Sequence, residues 1–364
     1  MRVAIVHYWL LGMRGGEKVI ENLCRAYPGA DLFTLFYAPE RISAVIRSHR
    51  IQASFLNPLR RFYRSLLPLM PLALESFDLR GYDLVIAHES GPAKGVLVPS
   101  TARFVCYCET PMRYLWDLYP AYLHEWTASR LKKAVMAPLA NYLRLWDYST
   151  AARVDEFIAN SRNVERRIWR VYRRESKVIH PPVAVDSFYS KPPEDYYLLA
   201  SELVAYKRVE LAVRAFARNG RRLRVAGSGP EYKRLRQLAA PNIEFCGWVP
   251  DGELREMFAR CRAFLLPGEE DFGIAPVEAL AAGKPVIALG RGGVLETVPL
   301  ASPAGGVFFD EPTVEHLQAA VERLDKLEAG LRPGELQAHA RQFSEAEFAR
   351  KLSEVLGTRL PDSP

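Results

Sequence analysis

The sequence predicts an α/β protein of two doubly wound, Rossmann-like domains, and three observations carry that expectation. Short β-rich apolar runs alternate with helix-periodic stretches along the whole chain, the signature of βα units on a parallel sheet. The 364 residues, 49% hydrophobic and 25% charged, exceed one typical domain and can bury two cores. Near the middle stands His180-Pro181-Pro182-Val183, whose paired prolines hold an extended segment and remove backbone donors, as suits a linker.

In the first half, strands are expected near Val3–Tyr8, Leu32–Phe36, Tyr82–His88, Phe104–Cys108 and Glu156–Ala159, with helices near Glu17–Tyr27, Arg41–Arg47 and Ser129–Val154. In the second half, strands fall near Tyr196–Ala200, Leu223–Ala226, Ile243–Cys246, Ala263–Leu266 and Val286–Leu289, each followed by a turn and a helix-like stretch. The expected domains are residues 1–180 and 181–344. A last helix follows, in which Phe348, Leu352, Val355 and Leu356 recur at helical spacing and need a surface to pack on.

The net charge of +7 is unevenly distributed. Residues 1–180 carry 26 Lys and Arg against 16 Asp and Glu, whereas residues 181–364 carry 23 against 26. A basic first half suits a phosphorylated substrate, an anionic membrane or nucleic acid. Five cysteines without paired spacing exclude a disulfide scaffold and point to a reducing compartment. The longest apolar run, Leu66 to Leu74, is interrupted by Pro68 and Pro71 and falls short of the ~20 residues of a membrane span. No export signal follows Met1. The expected location is therefore the cytoplasm.

The most informative segment is Pro267-Gly268-Glu269-Glu270-Asp271-Phe272-Gly273-Ile274-Ala275-Pro276-Val277-Glu278, continuing to Gly283-Lys284-Pro285. It reads as strand, acidic turn, glycine and a short helix from about Pro276 to Ala282, with a Gly/Pro stop. Free amides near Gly273 and Ile274 would then face the carboxyl edge of the sheet and favour a phosphate. Glu278 lies within reach of ribose hydroxyls, and Glu270 could face a sugar. Taken alone, both glutamates read first as residues that cap or solvate a helix start. Gly15-Gly16-Glu17 follows the first strand and lets a phosphate or sugar approach the backbone, but the G-x-G-x-x-G dinucleotide spacing is absent. The histidines show no close ligand pair, and Cys106 and Cys108 alternate along a strand as small buried residues, so no metal is expected.

Glu270 and Glu278, with Phe272-Gly273-Ile274 and Glu-Ala-Leu-Ala-Ala-Gly-Lys-Pro-Val, resemble the signature of the retaining glycosyltransferases of family four. Leu203 to Val213, containing Lys207 and Arg208, resembles the family's donor-phosphate segment, and Ala226-Gly227-Ser228-Gly229-Pro230 its next glycine turn. Tyr107-Cys108-Glu109-Thr110-Pro111-Met112-Arg113-Tyr114-Leu115-Trp116-Asp117 resembles the branch of bacterial O-antigen and exopolysaccharide mannosyltransferases.

The resemblance implies a GT-B fold, two Rossmann-like domains facing across a cleft, with the C-terminal helix 345–364 returning to the first. It implies transfer of a hexose, mannose from GDP-mannose, with retention and without cofactor or essential metal, onto a lipid-linked glycan in polysaccharide synthesis. The implied catalytic residues are Glu270, Lys207 and Glu109, and the implied donor-binding residues are Gly15, Gly16, Arg208, Phe272, Gly273, Ile274 and Glu278. Two positions depart from the pattern. Glu109 stands where many relatives have histidine, and Glu202 where many have arginine. A carboxylate ~4 Å from a phosphate would cost about 4 kcal/mol at an effective dielectric near 20, so Glu202 is expected to pair with Lys207, Arg208 or the acceptor side instead. A UDP-hexose donor, a sugar-nucleotide epimerase and a non-catalytic relative are the alternatives.

In the resemblance's light the basic first half suits a phosphorylated lipid acceptor rather than nucleic acid. Arg60, Arg61, Phe62, Tyr63, Arg64, Leu66, Leu67, Leu69 and Met70, and a second stretch with Arg130, Lys132, Lys133, Met136, Tyr142, Arg144 and Trp146, mix cations with apolar groups. They read either as a surface for an anionic bilayer at the inner face of the cytoplasmic membrane, or as core residues flanked by solvated charges.

Overall fold

The computed structural model describes residues 1–124, 129–301, 304–327 and 330–357. Among them the apolar runs form two parallel sheets. The first has seven strands, β1 (Val3–Leu10), β2 (Asp31–Tyr37), β3 (Ile51–Ala53), β4 (Leu84–Glu89), β5 (Arg103–Cys108), β6 (Glu156–Ala159) and β7 (Ser176–Val178), in the order β3-β2-β1-β4-β5-β6-β7. The second has six, β8 (Tyr197–Ala200), β9 (Leu223–Ala226), β10 (Ile243–Gly247), β11 (Ala263–Leu266), β12 (Val286–Leu289) and β13 (Gly306–Phe309), in the order β10-β9-β8-β11-β12-β13. Central strands such as β4, β11 and β12 are buried along their whole length, as continuous apolar strands covered on both faces must be.

Three strands escape the sequence reading. β3 and β7 are three-residue edge strands with an exposed central residue, too short and polar for an apolar run to mark them. β13 opens on Gly305-Gly306, which reads as a turn until Val307 and Phe309 bury beside β12.

The chain divides into two compact units. One comprises Met1–His180 together with the segment from Ala349 on, the other Pro181–Phe348. The last helix, Glu345–Leu356, therefore ends in the first unit, where Arg103 of β5 donates to the carbonyls of Val355 and Leu356 and so satisfies open acceptors at the helix end. Leu352 and Leu356 on it are buried.

The core of the first unit joins Ala4, Val6 and Tyr8 of β1, Phe33 and Leu35 of β2, Val85 of β4, Phe104 of β5 and Phe157 of β6. The second unit has one cluster around Phe258, Phe264, Val277 and Leu280 and another around Val213, Phe216, Leu265 and Ile287. Each of the valine, leucine, isoleucine and phenylalanine side chains among them contributes roughly 1.5–3 kcal/mol by leaving water.

Beneath the edge of the first sheet lies a charged core. Lys94, fully buried, pairs with Asp147 of the helix Arg130–Thr150 and lies 3.2 Å from Glu89 and 3.1 Å from the Tyr172 hydroxyl. The Trp116 indole donates to Asp147 at 2.7 Å. Two carboxylates thus face one ammonium. Burial pushes the Glu89 carboxyl up to about 7 against the opposing pull of Lys94, with Asp147 adding to the rise.

The two mixed basic and apolar stretches contain both exposed residues and residues packed on the core. Asn57–Leu69 is a 3₁₀ segment with no buried residue; Arg60, Arg61, Phe62, Arg64 and Leu69 are exposed, while Tyr63, Leu66 and Leu67 pack partly on the core and Met70 lies within it. On the helix Arg130–Thr150, Leu131, Val135, Tyr142, Leu145 and Tyr148 are exposed and Leu143 is buried. The side chains of Arg130 and Lys132 lie outside the described residues. Among the described residues no helix is long and apolar enough to cross a membrane.

Candidate active site

In an open parallel sheet the loops beyond the carboxyl ends diverge where the strand order reverses, leaving a crevice at that point. In the second unit this point lies between β8 and β11. The loop after β8 contains Lys207 and Arg208, and the loop after β11 contains Glu269 to Gly273. Lys207 and Glu270 meet there as a short ion pair, each less than one-fifth exposed. The carbonyl of Glu270 accepts from the amide of Gly293, so the loop after β12 braces the acidic turn. The turn after β9 is equally close. A Cβ on Gly227 would lie 1.9 Å from the Ser201 carbonyl oxygen, an approach only glycine permits.

Gly273, at φ 91°, caps the helix Ile274–Ala281, which starts two residues before the position expected from Pro276. Its first amides point from the carboxyl edge, and Glu278 sits in its second turn, buried. Phe272 is buried against Phe343, with ring centroids 5.5 Å apart, and anchors the turn rather than lining an open surface. Arg208 is exposed and holds a left-handed conformation, φ 53°, at the start of the helix Val209–Asn219.

In the first unit the order reverses between β1 and β4. His7 of β1 and His88 of β4 are register partners, with Nδ1 atoms 3.0 Å apart, and both are buried. The two lie 81 positions apart along the chain, and the sheet register joins them. Among the described residues no group of three or more His, Cys, Asp or Glu is arranged to hold a metal ion.

Glu109, directly after β5, lies 3.4 Å from His88 Nε2. Its amide donates to the Glu89 carbonyl, which places it over the sheet edge. Burial alone would push the Glu109 carboxyl up, but the His88 imidazole, with a further contribution from His7, outweighs it and holds the carboxyl below the usual range. Gly16, in the first turn of the helix Gly15–Ala26, closes over this cluster: a Cβ there would lie 3.2 Å from His88 Cε1 and 3.3 Å from Glu109 Oε2. The structure therefore brings Gly16 and Glu109 together in the first unit, and Lys207, Glu270 and the Gly273-capped helix with Glu278 together in the second.

Residues 13–187 match the family model described as Glycosyltransferase Family 4, and residues 186–346 match that described as Glycosyl transferases group 1, so the two matches run through nearly the whole chain.

This chain belongs to the family-four type of glycosyltransferases.

The glycosyltransferase is 30% identical over 176 residues, 44% of each chain, to the GDP-mannose-dependent monoacylated alpha-(1-6)-phosphatidylinositol monomannoside mannosyltransferase of Corynebacterium glutamicum. It spans less than half the length of the curated relatives it matches. Among solved structures it resembles sucrose-phosphate synthase from Thermosynechococcus elongatus, with a TM-score of 0.74, 17% identity and 98% of each chain covered. It also resembles Anabaena HepE in complex with UDP and glucose, with a TM-score of 0.70, 17% identity, and 98% of this chain and 100% of that one covered. At these identities the likeness shows the fold, two Rossmann-like units of the GT-B class. Sequence reasoning missed His7, His88 and Glu17 as members of the glycosyltransferase's first cluster. The sequence placed both histidines near the carboxyl ends of expected strands, but only the sheet order makes those strands neighbours.

Proposed function

We propose that this glycosyltransferase moves a hexose from a nucleotide-sugar, GDP-mannose in the first instance, with retained anomeric configuration, onto a lipid-linked glycan acceptor in cell-surface polysaccharide synthesis. The observation that carries the reading is the Lys207–Glu270 pair at the switch point of the second sheet, beside a glycine-capped helix start with Glu278 inside it.

A nucleoside diphosphate set against those first amides gains from hydrogen bonds and the helix dipole, and Lys207 stabilises the charge that grows on it as the bond to the sugar breaks. Arg208, exposed beside Lys207, adds a second cation for the diphosphate. Glu278 accepts from the ribose hydroxyls. Glu270 holds the sugar as it gains oxocarbenium character, while the acceptor hydroxyl gives its proton to the departing phosphate on the same face. Glu109 accepts from sugar hydroxyls, and Gly15-Gly16 allow close approach at the other edge. No metal is required by these steps.

The similarity to a GDP-mannose-dependent enzyme supports the mannosyl donor. A UDP-hexose is the second reading, favoured by the fold's likeness to HepE bound to UDP and glucose. The exposed arginines and apolar groups of Asn57–Leu69 support contact with an anionic membrane on the cytoplasmic side.

A thermal-shift panel of nucleoside diphosphates and their sugars, followed by donor turnover with and without a lipid-linked acceptor, tests the reading. Stabilisation by GDP-mannose with acceptor-dependent turnover is expected. Stabilisation by a UDP-sugar alone overturns the mannosyl donor, turnover without acceptor indicates an epimerase, and binding without turnover a non-catalytic relative.

A further inference from the structure

The cluster at the β1/β4 switch contains more order than a set of neighbouring polar groups. Both imidazoles are at most 1% exposed, and the Nε2 atom of each has no hydrogen-bond partner among the described residues. His7 Nδ1 lies 3.0 Å from His88 Nδ1 and 3.3 Å from the His88 carbonyl oxygen. His88 Nε2 points to Glu109 at 3.4 Å, and His7 Nε2 to Glu17 at 3.9 Å. The Tyr107 ring stacks on His88 at 5.6 Å, the Tyr8 ring lies 4.4 Å from His7, and Arg14 is a further titratable group beside Tyr8.

Two Nδ1 atoms 3.0 Å apart share one proton, since two protons or two lone pairs would repel. If that proton belonged to His88, the lone pair of His7 Nδ1 would face a carbonyl oxygen at 3.3 Å, and the lone pair of His88 Nε2 would face a carboxylate at 3.4 Å. With the proton on His7 Nδ1, it is directed at both the carbonyl and His88 Nδ1, and His88 must carry its own proton on Nε2, aimed at Glu109. Only the longest contact, His7 Nε2 to Glu17, then sets a lone pair against a carboxylate. A proton added there on acidification makes an ion pair with Glu17 and leaves Nδ1 as it was. Burial, the strongest influence on His7, disfavours that extra proton, so the neutral ring predominates at neutral pH.

We propose that His7 and His88 form a directed hydrogen-bond chain that presents Glu109 as an ionised, oriented acceptor for a sugar hydroxyl, with His88 the donor to Glu109 and His7 the residue that fixes the tautomer of His88. Both are positioning residues, because neither is the group offered to the ligand. The 3.4 Å contact is long, as such contacts are in unliganded sites, and shortens on binding. Glu109, 19% exposed, is the most solvent-accessible of the four side chains, which leaves it as the chain's outlet. The task given to Glu109 rests on the function proposed above; the tautomers do not.

Histidine ¹⁵N shifts of the full-length, unliganded protein read the tautomers directly. The expected result is a proton on Nδ1 of His7 and on Nε2 of His88; an Nδ1-protonated His88 overturns the chain. The carboxyl ¹³C titration of Glu109 is expected to have its midpoint below the ordinary ~4.3 of glutamate, and a midpoint at or above it overturns the role of His88. In turnover, His88→Gln places an amide nitrogen where Nε2 stands and retains the acid limb of the pH profile. His88→Asn lacks that donor and moves the limb up by about one pH unit. An unmoved limb in a folded His88→Asn protein overturns the positioning role. Correct tautomers in a protein that transfers no sugar leave the chain standing and remove only the proposed reaction.

Discussion

Lys207 and Glu270 are bonded to each other across two loops of the second sheet, so the cation available to a donor phosphate is already engaged by a carboxylate. On the function proposed above, a diphosphate competes with Glu270 for Lys207, and removing the competitor should favour binding while damaging the chemistry. Glu270→Gln is expected to tighten nucleoside diphosphate binding by roughly threefold to tenfold and to lower turnover at least about a hundredfold. Calorimetric titration beside initial rates separates the two, and weaker nucleotide binding in Glu270→Gln would refute the competition.

Glu278 is buried in the second turn of its helix, and the proposed function makes its carboxylate the acceptor for the ribose hydroxyls. Loss of a charge-assisted bond of about 1.5–3 kcal/mol corresponds to a roughly 10- to 150-fold rise in Kd for Glu278→Ala. A nucleotide lacking both ribose hydroxyls should show no further loss in the variant. Additive losses would mean that Glu278 acts elsewhere.

Gly16 offers a separation of stability from activity. The about 0.5–1 kcal/mol that alanine gains over glycine within a helix opposes the cost of crowding His88 and Glu109, so Gly16→Ala should melt near the parent temperature. The added methyl would crowd His88 and Glu109 at 3.2–3.3 Å and lower turnover about tenfold. A fully active variant would show that this edge tolerates the methyl and that ligand does not approach there.

The buried lysine predicts an asymmetry between its two carboxylates. Glu89 has its pKa raised in the fold, to about 7, so its contribution to stability is present below the ordinary carboxyl value and is lost as pH rises through about 7. Glu89→Gln should therefore flatten the pH dependence of stability in that interval and cost little at pH 8. Asp147→Asn leaves Lys94 without its closest partner and should cost roughly 3–5 kcal/mol. Urea denaturation of both variants at pH 5 and 8 measures the difference; equal losses at pH 8 would contradict it.

Strand and helix positions were legible wherever β-branched or apolar runs met glycine and proline stops, as from Ala263 to Pro285, because local pattern and final burial agree there. The edge strands β3 and β7 were not, since pairing rather than apolar content makes them. In the second unit, the family resemblance marked Lys207, Glu270 and Glu278, and two loops and one helix suffice to bring them near one another. The first cluster needed register. His7 and His88 acquire meaning only when β1 and β4 lie side by side, a fact no window of neighbouring residues contains. The Lys94–Asp147 contact is likewise non-local, its partners standing 53 positions apart.

The first unit takes its last helix from the far end of the chain, since Leu352 and Leu356 bury there after all of Pro181–Phe348 has intervened. On the ribosome that interval has a duration. At about 5–20 residues per second, the first 180 residues wait roughly ten to thirty seconds for the segment that completes them. The nascent sheet therefore passes through a stage in which Arg103 has no helix carbonyls to hold, and the second unit can finish folding before the first.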